Sequence, residues 1–144
     1  MKALTISQPY ADLIASGEKW IENRCWGTAY AGPLAIHAGK GSQYLSPSQL
    51  KRYPTGAFVA IARLGIAMHL DALRKEPQVL AELCGRSARE VLTNEHCEGP
   101  WCWILADVRA LPEPIPWRGA QGLWDVPLDL EAKIERALNG QAKK

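Results

Sequence analysis

The sequence predicts an α+β fold in which a β-barrel is flanked by helices. Strand-like segments are separated by helical segments of unequal length without a regular β-α-β rhythm, which argues against a doubly wound parallel sheet. The chain has 144 residues, long enough for one domain that buries about 70% of the surface of the unfolded chain. Hydrophobic residues make up 47% and charged residues 22%, which is typical of globular proteins and excludes disordered and fibrous classes.

The first third of the chain contains short apolar runs and two segments with helix-start signals. Each of these two segments begins with a serine N-cap and has a proline in the first turn, which is typical of helix N termini. The runs between them are apolar and of strand length. The predicted elements are a strand at 3–6, a helix at 7–16, a strand at 33–38 and a short helix at 46–52.

The rest of the chain begins with a long strand and contains one helical insertion. Leucine and valine at helical spacing predict the insertion at about 69–95, broken at Pro77 and Gly85. Prolines after residue 111 are expected to end the preceding strand. The other predicted elements are strands at 56–68, 101–111 and 122–126 and a helix at 129–138. We expect a single domain at 1–139 and a disordered tail at 140–144.

Charge and cysteine usage restrict location and partners. A net charge of +2 does not support electrostatic binding of duplex nucleic acid by the whole protein surface. An anion site must therefore be a local cluster of cations. Cys25, Cys84, Cys97 and Cys102 show no CxxC spacing and the N terminus has no apolar signal core, which predicts a reducing, cytoplasmic location. The apolar stretch 57–70 is too short for a membrane span of roughly 20 residues. We expect no cofactor, no metal and a monomer.

Residues 17–24, GEKWIENR, form the first candidate site. On a strand, Glu22 and Arg24 lie on one face, where they either form an ion pair or present an acceptor and a planar donor to a base edge. Lys19 lies just beyond the preceding helix. The alternative is a surface ion pair that contributes about 0 to 1 kcal/mol, with Lys19 in solvent.

Further candidates lie near glycines and in tryptophan-rich segments. His37 and Lys40 belong to IHAGK, where Gly39 allows the backbone to approach a ligand closely. His37 is either an acid/base group or a buried histidine with satisfied hydrogen bonds. Trp26 and Trp124 are candidates for stacking on a base, which contributes roughly 1 to 3 kcal/mol; core packing is the alternative for both.

Residues 17–24 match GxKxxExR, a signature of ASCH domains, the modules named after the activating signal cointegrator. AGPLAIHAGK and PEPIPWRGAQGLWDVP resemble further segments of the family in the same order, so the resemblance covers nearly the whole chain. It implies a PUA-like β-barrel with the GxKxxExR residues near its cleft. We expect GxKxxExR, IHAGK and QGLW to converge at that cleft.

The resemblance implies binding of single-stranded RNA or a modified nucleoside, with Lys19, Arg24 and Lys40 on phosphates or base edges and a ring on a base. One alternative is a hydrolase in which Lys19 and Glu22 share proton transfer, either an N4-acetylcytidine-type amidohydrolase or a single-strand ribonuclease. The acetylcytidine branch carries threonine where Glu22 stands, so this chain lacks that nucleophile. A second alternative is a protein-interaction adaptor that uses the helical insertion.

Overall fold

The computed structural model describes residues 1–142, with side chains up to residue 140. The strands are β1 (Lys2–Ile6), β2 (Ile21–Arg24), β3 (Gly32–Ala38), β4 (Ala57–His69), β5 (Trp101–Pro116) and β6 (Leu123–Asp125). The helices are α1 (Tyr10–Ala15), α2 (Leu70–Lys75), α3 (Pro77–Cys84), α4 (Ala88–Leu92) and α5 (Leu128–Ala142). Within this part of the chain, every helix is too short or too polar to cross a bilayer.

The strands form one mixed six-stranded sheet in the order β2-β5-β4-β3-β1-β6. Strand β1 pairs in parallel with β3 and antiparallel with β6. In the β1–β3 register Thr5 lies opposite His37, and opposed residues on neighbouring strands point to the same face. The pairing therefore brings together two polar side chains that are far apart in the sequence.

By its internal contacts the chain divides into two compact units. Unit 1 contains Met1–Glu18, Pro33–Ala62 and Val108–Lys144. In its core Phe58 packs with buried residues of α5, among them Leu130 and Ile134. The segment predicted as a tail begins inside α5, which extends to Ala142, and residues 143–144 lie outside the described residues. A single domain at 1–139 remains a prediction.

Unit 2 contains Lys19–Gly32 and Arg63–Asp107. It includes the helical insertion predicted at 69–95, which consists of α2, α3 and α4. Leu73 and Leu80 are fully buried in the core of this unit, where burial stabilises each by about 2 kcal/mol. Leu83 is 60% exposed. Of Leu73, Leu80 and Leu83, the leucines that an adaptor would present to a partner, two are therefore used in the core of unit 2.

The predicted start of the first helix and the predicted short helix at 46–52 are wrong. Helix α1 begins at Tyr10, after Pro9, rather than after a Ser7 cap. The Gln8 Oε1 accepts from the Asp12 amide at 3.0 Å, which satisfies an amide group of the first turn that has no partner within the helix. Segment 46–52 forms turns rather than a helix. It is short and mostly exposed, and so short a helix is marginal without packing of an apolar face.

The predicted end of β5 before its prolines is also wrong, since β5 continues through Pro112, Pro114 and Pro116. Alternate residues of a strand direct their amide groups to the same side. The Trp117 amide donates to the Gly56 carbonyl at 3.1 Å, so the missing amide donors of the three prolines all point away from this neighbour. The pairing of β2 with β5 covers only positions 101–104 of β5, and prolines are tolerated where a strand has no partner.

Candidate functional site

Unit 1 contains an open pocket of about 950 Å³. It is formed where β1 and β3 end and where the chain turns from β5 towards β6. Its described lining residues are Thr5, His37, Gly39, Lys40, Gly56 and segment 116–121. His37 and Lys40, predicted from IHAGK, therefore meet Gln121 of QGLW at one pocket.

His37, which lines this pocket, holds the β5–β6 loop in place. It is 1% exposed, and its Nε2 donates to the Trp117 carbonyl at 2.7 Å. A carbonyl oxygen only accepts, so in the neutral ring Nδ1 is the acceptor, and the Thr5 hydroxyl donates to it at 3.3 Å. Both ring nitrogens are thus used inside the protein, which makes His37 a positioning residue for the loop in this arrangement.

The loop lies so close to His37 that position 119 accommodates only glycine without a shift. A Cβ atom at Gly119 would lie 2.8 Å from both the Cε1 atom of His37 and the hydroxyl of Thr5. Real Cβ contacts are essentially never that short. The shape of the pocket therefore depends on a glycine that brings the loop backbone against the Thr5–His37 pair.

The described lining of the pocket carries two cations, Lys40 and Arg118, and no carboxylate. Both cations are exposed. Trp117, which also lines the pocket, is 39% exposed. Cations next to an accessible ring suit an anionic ligand that also has a flat, apolar face.

We expect the stability of the protein to fall in weak acid because of His37. Burial lowers the pKa of His37, and the opposing effect of the Trp117 carbonyl is smaller. The unfolded chain titrates near 6.5, so below that pH it binds more protons than the native state. The stabilisation is complete above about pH 6.5 and is lost as the pH falls through the lower native pKa. Thermal unfolding between about pH 7.5 and pH 5 should show this decrease.

A His37→Gln variant is the control for this titration. It should be less stable than the parent at neutral pH, and its melting temperature should depend less on pH over the same interval. Equal pH dependence in the two proteins would contradict the assignment of the effect to His37.

In unit 2 the predicted residues of GxKxxExR form a compact ion cluster. The Lys19 ammonium donates to Glu22 Oε1 at 2.9 Å and to the Ile21 carbonyl. Arg24 reaches Glu22 Oε2 with Nη2 at 2.9 Å and with Nε at 3.1 Å. Lys19 and Glu22 are 3% and 7% exposed, so the alternative of a solvated surface pair is wrong. Their catalytic role and the convergence of this motif with the other two remain predictions.

The two predicted stacking rings are packed against other rings. Trp26 packs edge to face against Trp103 with ring centroids 4.9 Å apart, and the Trp26 carbonyl accepts from the Trp103 indole at 3.2 Å. The ring centroid of Trp124 lies 5.8 Å from that of His37 and 5.6 Å from that of Phe58. Both rings take part in packing, and stacking on a ligand remains a prediction for each.

Sequence patterns alone did not indicate Thr5 or Arg118 as site residues. The signal for Arg118 was an arginine that follows Trp117 directly after the alternating prolines, where the chain leaves a strand. Thr5 has no such signal, because only the β1–β3 register places it at His37.

Comparisons with known proteins identify the family. The ASCH domain model matches residues 4–114, while curated proteins include no significant match. The structure is similar to crystal structures of ASCH from Zymomonas mobilis and of a point mutant of that protein, each with a TM-score of 0.57 at 16% identity. The alignments cover 94% of this chain and 93% and 96% of those chains. The predicted α+β, barrel-type fold is confirmed, and the chain belongs to the ASCH domain family.

Proposed function

We propose that this protein binds single-stranded RNA, with a nucleotide in the pocket of unit 1. The observation that supports the proposal most is the combination of Lys40, Arg118 and the accessible Trp117 ring in the lining of one pocket. The two cations suit the phosphate oxygens, and the ring suits the face of a base. The ASCH domain family, which is generally RNA-binding or related, is consistent with this proposal.

The charge around the pocket extends along the neighbouring segment 40–56. This segment contains no Asp or Glu and carries the exposed cations Lys51 and Arg52 in addition to Lys40. Together with Arg118 these are four cations, none of which forms an ion pair among the described residues. Cations without a carboxylate partner keep their full attraction for phosphates.

Two exposed rings favour unpaired bases over a duplex. Tyr44, in the same segment, is 53% exposed and packs edge to face against Tyr10 with ring centroids 5.3 Å apart. Tyr44 and Trp117 offer faces on which unpaired bases stack, whereas the bases of a duplex are already stacked on each other. A few cations at one site also contact too few phosphates to bind along a nucleic-acid duplex.

The test is a titration of a labelled single-stranded RNA with the Lys40→Ala/Arg118→Ala double variant. We expect the dissociation constant to rise about tenfold or more, because two charge-assisted contacts are lost. The matched control is Lys133→Ala/Arg136→Ala, which removes the same charge from the exposed face of α5. This control should leave binding nearly unchanged.

Four outcomes would contradict the proposal. An equal loss in both double variants would indicate bulk charge rather than this pocket. Tighter binding of duplex, or a salt dependence steeper than the few phosphate contacts allow, would also contradict it. Binding of N4-acetylcytidine that does not depend on Lys40 and Arg118, together with no RNA binding, would support the nucleoside alternative.

A further inference from the structure

Two cysteines of unit 2 lie side by side although the chain has no CxxC motif. Their sulfur atoms are 3.8 Å apart. Cys102, in β5, is fully buried, and Cys97, in the segment after α4, is half-buried. Neither residue belongs to the RNA pocket proposed in unit 1.

The proximity of the two sulfurs is maintained by a polar anchor in β2. Asn23 lies opposite Cys102 in the β2–β5 register. Its Nδ2 donates to the His96 carbonyl at 2.7 Å, and its Oδ1 accepts from the amides of Glu98 and Gly99 at 2.9 and 2.8 Å. These bonds hold the backbone on both sides of Cys97, so Cys97 is positioned by the fold rather than by a chance rotamer.

We propose that Cys97 and Cys102 form a redox-sensitive thiol pair that a low-molecular-weight disulfide, such as glutathione disulfide, converts into an intramolecular disulfide. The sulfurs are already in contact, so bond formation shortens their separation only from 3.8 Å to about 2.05 Å. The bond joins the end of the helical insertion to β5, next to Asn23.

The disulfide forms in two successive thiol–disulfide exchange steps. Cys97 is the sulfur that an oxidant reaches, because Cys102 is buried. The Cys97 thiolate attacks one sulfur of the reagent and releases one thiol, which leaves a mixed disulfide on Cys97. The Cys102 thiol then loses its proton and attacks the Cys97 sulfur, which releases the second reagent thiol. Two protein thiols are oxidised by two electrons, and one reagent disulfide is reduced to two thiols.

The environment of Cys102 makes the second step pH-dependent. Burial, and to a smaller extent the adjacent Cys97, raises the pKa of Cys102 to about 12. Since only the thiolate attacks, ring closure should be faster at higher pH. The mixed disulfide on Cys97 is therefore the species that accumulates first.

The experiment treats the folded protein with glutathione disulfide and then follows its mass and its free thiols. A Cys25→Ser background removes the exposed cysteine that would otherwise join two chains. We expect a mass loss of about 2 Da and the loss of two alkylatable thiols, both reversed by a reductant. Cys97→Ser should abolish the effect, and Cys84→Ser should retain it.

Two results would overturn the proposal. One is a persistent adduct of glutathione on Cys97 that never closes, even at raised pH. The other is a disulfide that forms equally well in the Cys97→Ser variant. Because Cys97 is only half-buried, its serine variant is expected to fold, and a thermal unfolding transition like that of the parent confirms this.

Discussion

Replacing Lys19 by methionine should lower the free energy of unfolding by about 3 kcal/mol and the melting temperature by about 10 °C. Lys19 and Glu22 are almost fully buried, and their charges compensate each other at 2.9 Å. Methionine fills a similar volume but leaves one oxygen of the Glu22 carboxylate without its cation. Arg24 still compensates part of the Glu22 charge at Oε2, so the loss lies at the lower end of what breaking a buried ion pair costs, whereas the intact pair by itself contributes little. Urea and thermal unfolding measure the change.

The controls separate the charge from the side chain and from catalysis. Lys133→Met, on the exposed face of α5, should change stability by less than about 0.5 kcal/mol. Lys19→Arg keeps the charge and should recover part of the stability. A loss in Lys19→Met as small as in Lys133→Met would contradict the buried-pair argument. If Lys19→Arg folds like the parent yet abolishes turnover of N4-acetylcytidine or RNA by an active parent, the catalytic prediction for Lys19 is supported.

Replacing Gly119 by alanine should weaken RNA binding about tenfold or more and destabilise the protein by about 1 to 3 kcal/mol. The new methyl carbon would meet both His37 and Thr5 at 2.8 Å, and neither can retreat easily because they are hydrogen-bonded to each other. The loop must lift instead, which breaks the bond from His37 to the Trp117 carbonyl. Trp117 and Arg118 then move away from Lys40. RNA titration and thermal unfolding measure the two effects.

Ala120→Ser is the matched control, since it is a small change at the next, exposed position of the same loop. It should leave both affinity and stability close to those of the parent. Gly119→Ala with unchanged RNA affinity would mean that this loop does not shape the binding site. Unchanged stability would mean that the loop adapts without losing its anchor on His37.

Much of the fold is predictable from local signals. The period of the apolar residues determined the strands and the helical insertion, because each period leaves one face for a core. The alternation of a strand placed Glu22 and Arg24 on one face, and they form an ion pair at 2.9 Å. The order of the motifs identified the ASCH domain. His37 and Lys40 were selected from IHAGK, and both line the pocket.

Other features depended on contacts between segments that are distant in the chain. The sequence alone left His37 open between an acid/base group and a satisfied histidine; the strand register and the β5–β6 loop supply the two partners that engage its nitrogens. The local pattern makes Lys19 a turn residue, yet it is buried with Glu22. The prolines of β5 extend a strand because their missing amide donors point away from Gly56, on a side where, among the described residues, β2 pairs with β5 only at positions 101–104. Burial and strand pairing depend on contacts with distant segments, so a local sequence pattern does not determine them.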